Sequence, residues 1–271
     1  MLNPFARRNP PSWVATAARL GHLSTGTVHC LVGALSITAA LDPQARATGS
    51  QGALRELASR PFGSMLLIGL GLGLLVDSFW QGVRAGTDAD LAGPGLRGAL
   101  ERLGWILSGL IHLGLGVAAL RLVRDVPPGR PESHTKAWTA TVMAIPFGRG
   151  LVALVALTIL VVAGVMLVRA GRAALDPWLD VTQMSSRTRI LTTVLVGLGL
   201  ATRATVYTIV AGFLLLAAVQ ANPRVARGVT GTLRAVRLGR YGPPMLTVIG
   251  IGFVANGVLE MIRARYRRGR V

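Results

Sequence analysis

Four polar side chains stand where the sequence is otherwise apolar: Asp77, Arg203, Asn256 and Glu260. Within a hydrocarbon layer such groups are costly unless they pair, reach water or snorkel to the headgroups, so each is a candidate site. Carboxylates so placed can relay protons or, with Asn256 and Arg203, line a polar path. The competing reading is structural: Asp77 and Glu260 lie within two turns of the ends of their apolar runs, and Glu260 is close to Arg263. Arg203 follows thirteen uncharged residues and precedes twenty more, Ala204 to Pro223. Either its helix begins near residue 200 and the guanidinium is interfacial, or a longer tilted helix carries it inside, to snorkel or to pair with Asp77 or Glu260.

Ring side chains form a second set. His29 and His112 occupy matching places in two apolar runs, and Tyr207 holds the third such place. Arranged about a common axis, two histidines could ligate haem or a transition metal, or pass protons. No carboxylate stands near them at ligand spacing, and a histidine between small residues also serves as an interhelical hydrogen-bond donor. The sequence therefore assigns no metal and no cofactor. His22 is expected near the interface and His134 in a loop.

These positions match because the chain repeats itself three times, over about 12–86, 95–171 and 187–271, within one membrane domain. Each repeat holds two apolar runs of membrane length, near 20–41, 62–83, 103–121, 149–168, 194–219 and 244–262. A bilayer core of about 30 Å needs roughly 20 helical residues, so the expected fold is all-α, with six transmembrane helices as three tandem two-helix repeats. In the first helix of each repeat a stripe reads small, ring, small: Gly26-His29-Gly33, Gly109-His112-Gly116, Ala204-Tyr207-Ala211. In the second helix, Gly73-Asp77-Gln81 matches Gly252-Asn256-Glu260, while the middle repeat has the apolar Val162 and Met166. Ahead of each second helix, Arg55, Lys136 and Arg234 sit in segments with the look of short interfacial helices, all on one side of the membrane. Residues 126–131 are rich in proline and are expected to be non-helical.

Composition agrees with a membrane class. Of 271 residues, 51% are hydrophobic and 15% charged, with a mean hydropathy of +0.53. The formal charge is +18, carried almost wholly by arginine between the apolar runs rather than along one polar face. Such placement fits anionic headgroups and argues against nucleic acid. One cysteine, Cys30, allows no disulfide framework or zinc knuckle within the chain. The loops hold no phosphate-binding glycine motif, paired acids or Ser-His-Asp set, so an enzyme is not expected.

Three tandem two-helix units with this stripe, Pro61-Phe62-Gly63 and Pro146-Phe147-Gly148 opening second helices, and a basic Ala264-Arg265-Tyr266-Arg267-Arg268 tail resemble a bacterial integral-membrane family of unknown function, DUF1206. The resemblance covers nearly the whole chain and implies architecture and location, with no activity or ligand set to carry over. The third repeat departs from it by lacking both stripe glycines, and histidine stands at 29 and 112 where tyrosine is expected.

Arginine and lysine number 15 on the side holding both termini and 13 on the other. With an even number of spans and a basic tail, this leans towards a prokaryotic cytoplasmic membrane with both termini cytoplasmic. Three functional readings follow. The first is a structural or accessory subunit packed against other membrane proteins. The second is a small transporter or channel using Asp77, Asn256, Glu260 and Arg203. The third is a haem or metal protein using His29 and His112.

Overall fold

The computed structural model describes residues 12–87, 93, 95–124, 131–172 and 181–266. Its helices are α1 (Ser12–Leu41), α2 (Ser50–Ala58), α3 (Gly63–Thr87), α4 (Leu96–Val123), α5 (Pro131–Met143), α6 (Gly148–Arg172), α7 (Ser186–Val219), α8 (Val229–Arg237) and α9 (Gly242–Tyr266). Among the described residues there is no strand. Six helices (α1, α3, α4, α6, α7 and α9) are long and apolar enough to cross a membrane. The protein is a polytopic membrane protein, two spans to each repeat.

Three local expectations need correction. Helix α7 runs unbroken from Ser186, about 51 Å at 1.5 Å per residue, so it starts well ahead of residue 194 and Arg203 lies mid-helix. Pro131 is helical: it opens α5, where its missing N–H would have no partner anyway. His134 accordingly sits on α5 rather than in a loop. Residues 126–130 and the basic tail from 267 lie outside the described residues.

Second helices start hard against the short helices before them. A Cβ on Gly63, Gly148 or Gly242 would collide with the carbonyl of Leu57, Val142 or Arg237 respectively. Phe62 and Phe147, just before two of these glycines, take left-handed φ values of 61° and 60° and project outward, as Tyr241 does in the third repeat. Exposed aromatics at matching levels suit a membrane–water interface.

Where the repeats meet, small residues face small residues. A Cβ on Gly26 would lie 2.8 Å from the Gly257 carbonyl, and one on Gly33 would lie 2.6 Å from that of Gly250, so α1 and α9 touch backbone to backbone. The α4–α3 seam uses Gly109 against Ser78 and Gly116 against Gly71. In the α7–α6 seam the same places hold Ala204, Ala211, Ala163 and Ala156, all buried. Without a hydrophobic drive between helices in lipid, such close approach is the main attraction available.

Within repeats the symmetry breaks. In α1–α3 and α7–α9 a glycine takes a hydroxyl residue: Gly73 receives Ser24 and Gly252 receives Thr202, so closely that a Cβ would overlap each. The middle repeat has Thr158 and Leu107 at those positions, and α4 and α6 are not packed along one another. The helices therefore form an open ring in the order α4–α3–α1–α9–α7–α6, with its break between α4 and α6.

Candidate functional site

Helix geometry decides which side chains face the inside of this ring. At about 100° per residue, Gly21 and Ser24 of α1 point to α3 while Gly26 and Gly33 point to α9. Thr25 and His29 fall on the arc between them, and Leu20 and Leu23 face outward. The same rotation turns Ser108 and His112 of α4, and Arg203 and Tyr207 of α7, inward. On α3 and α9 the inner arc holds Asp77 and Gln81, and Asn256 and Glu260. On α6 it holds Val162 and Met166. Both sets of residues singled out in the sequence thus share one inner face.

The carboxylates are paired. His112 Nδ1 lies 2.5 Å from Asp77 Oδ2, across the α4–α3 seam. His22 Nδ1 lies 2.8 Å from Glu260 Oε2, across the α1–α9 seam. Asp77 is 2% exposed and Glu260 6%, so both belong to the interior. The second Glu260 oxygen accepts from Arg263 at 2.6 Å. Gln81 donates to Asp77 at 3.4 Å and accepts from Arg84 at 3.0 Å, and the Arg84 guanidinium covers the Trp105 ring at 4.7 Å. Asp77 and Glu260 lie within electrostatic reach of each other and of His22, so the two pairs form one cluster around α1.

His22, expected at the interface, is thus a buried partner of Glu260, and Arg84 and Arg263 complete the cluster. All three went unremarked as site residues in the sequence. A legible signal existed: Arg84, Arg169 and Arg263 each stand seven residues after the Asp77, Val162 and Asn256 positions.

The remaining candidates occupy the same face. His29 stacks on Phe253, centroids 6.1 Å apart, with Nδ1 2.9 Å from the Thr25 carbonyl. Asn256, 2% exposed, packs against the bare backbone of Gly199, and its Nδ2 has no hydrogen-bond partner. One turn beyond Gly199, the Arg203 guanidinium lies 6.0 Å from the Tyr207 centroid. It has no carboxylate at ion-pair distance among the described residues, although Glu260 and His29 are within its electrostatic reach. Arg203 therefore pairs directly with neither Asp77 nor Glu260. No three His, Cys, Asp or Glu side chains converge on a metal-sized point among the described residues.

The family model described as Domain of Unknown Function (DUF1206) matches three times, at residues 20–88, 103–173 and 198–267. The chain belongs to this family. Each DUF1206 unit contains one first helix, one short helix and one second helix. A relative from Bacillus subtilis (strain 168), described as Uncharacterized protein YxxB, is 29% identical over 255 residues, covering 94% of this chain and 92% of its own. No solved structure matches.

Proposed function

We propose that this membrane protein is a small, non-enzymatic transporter that couples passage of a solute to protons. The observation that carries this reading is the pair of buried histidine–carboxylate couples, His112–Asp77 and His22–Glu260, on one inner face. A carboxylate accepts a proton from one side, shares it with the imidazole beside it, and releases it when the pair opens to the other side. Arg263, Gln81 and Arg84 hold the carboxylates in place. Parallel repeats about an axis normal to the membrane are a known plan for transporters. The proposal sets the protein in a prokaryotic cytoplasmic membrane, with both termini cytoplasmic and the arginine-rich connections against anionic headgroups.

Proteoliposomes with pyranine inside and a valinomycin-imposed potassium potential, negative inside, test the proton part. The expected result is acidification faster than in empty vesicles and lost in both Asp77→Asn and Glu260→Gln. Equal rates with and without protein would overturn it. A second reading, that of an accessory subunit, draws on the fact that both couples bridge different repeats and so could serve only as locks. It expects Glu260→Gln to lower thermal stability with no flux to lose.

A further inference from the structure

The inner face has two chemistries that the proton couples leave unused. One is a set of donors: the Arg203 guanidinium, engaged by Tyr207 but by no carboxylate among the described residues, the buried Asn256 amide with an unsatisfied N–H group, and the Thr25 hydroxyl, also buried without a partner. Positive charge and unfilled donors in a low-dielectric setting favour one anionic oxygen group, a carboxylate or phosphate. The other is apolar. Where repeats one and three carry Asp77, Gln81, Asn256 and Glu260, α6 presents Val162 and Met166, beside the break between α4 and α6. A break between two membrane-length helices opens sideways, where a chain dissolved in surrounding lipid could reach it.

We infer that the ring binds a single-chain anionic amphiphile taken from the bilayer, its head on Arg203, Asn256 and Thr25 and its tail leaving between α4 and α6. The charge selects the head, and the apolar middle repeat at the open side selects the tail. A soluble anion would find no use for the break, and an uncharged lipid none for Arg203. As a statement of what is carried, this rests on the proton-linked reading; as a binding site it stands separately.

The test is binding to the full chain in detergent, followed by quenching of tryptophan emission by dibromostearate. Oleate should displace the probe, while acetate, inorganic phosphate and monoolein should not. Arg203→Gln should weaken binding at least tenfold, and Arg203→Lys should restore most of it. Val162→Asp, which places a negative charge beside the break, should weaken it as well, with elution and melting close to the parent. Displacement by acetate or phosphate as effective as by oleate would overturn the amphiphile in favour of a soluble anion. Equal displacement by monoolein, or no saturable quenching, would overturn the site. Proton flux without oleate binding would sink this inference alone, and oleate binding without proton flux would sink the transport reading alone.

Discussion

The α9–α1 and α6–α7 seams occupy equivalent places in the ring and are built to opposite recipes. The first sets glycine on glycine and adds His22, Glu260 and Arg263. The second sets alanine on alanine and has Leu200 and Met166 where the first has its pair, with Arg169 in place of Arg263. Backbones that meet across glycine leave little free space, so the polar pair beside them is held at hydrogen-bonding distance and kept dry. Alanine keeps the helices a methyl group further apart, and apolar neighbours suffice. A repeated scaffold can thus keep its geometry while concentrating its ionisable groups on one side of the ring.

The sharpest way to break this contrast is Gly33→Leu. Its Cβ alone would meet the Gly250 carbonyl, so the α1–α9 seam has to part, at an expected cost of about 3 kcal/mol or more. Gly150→Leu in α6, where a Cβ meets nothing within 4 Å, should change little. Thermal unfolding in detergent, followed by circular dichroism, compares them directly. Next in size is Glu260→Ala, which takes a buried carboxylate away from both Arg263 and His22 and should lose about 3–5 kcal/mol, whereas Met166→Ala in the apolar seam should lose less than half of that.

Two further changes sharpen the comparison instead. Leu107→Ser with Thr158→Gly gives α4 and α6 the small contact that Ser24–Gly73 and Thr202–Gly252 make. Spin labels on the two helices should then move closer together; an unchanged distance would show that these two residues do not set the break. The smallest effect is expected from Met166→Glu with Leu200→His, which copies the polar pair beside Arg169. The double variant should fold with stability within about 1 kcal/mol of the parent, and either single change should be worse than both together.

Much of this architecture can be read from the chain. Apolar runs of membrane length give the six spans, and the threefold recurrence of small-ring-small places His29, His112 and Tyr207 on one face. Asp77 and Glu260 stand out because charge is rare in such runs. Their partners do not, because His112 meets Asp77 and His22 meets Glu260 across different repeats, and spacing within one helix carries no information about a facing helix. The second glycine set, Gly71, Gly250 and Gly257, is as regular as the first but is hidden among many other glycines in apolar runs. The start of α7 was missed for a related reason: Arg187 and Arg189 look like a span boundary, yet a helix continues through charges that lie at its polar end. The broken symmetry was the most legible feature overlooked, since Leu107 and Thr158 stand plainly where every other such pair is small.

Joining α1 to α9 also sets an order of assembly. The α1 face lined by Gly26 and Gly33 is complete only when α9 has been inserted, more than 200 residues later in synthesis. Until then the most extensive inter-repeat contacts on hand are α3–α4 and α6–α7, each between neighbouring spans in the chain. Folding should therefore proceed through two locally formed hairpins, with ring closure as a late, slow step of high contact order. A ribosome-stalled chain ending before Gly242 would present that glycine face unfilled, open to any other helix with small residues in register. Rapid synthesis of the third repeat, or a membrane chaperone holding α1 meanwhile, would be the kinetic counterpart of a seam built from helices so far apart in the sequence.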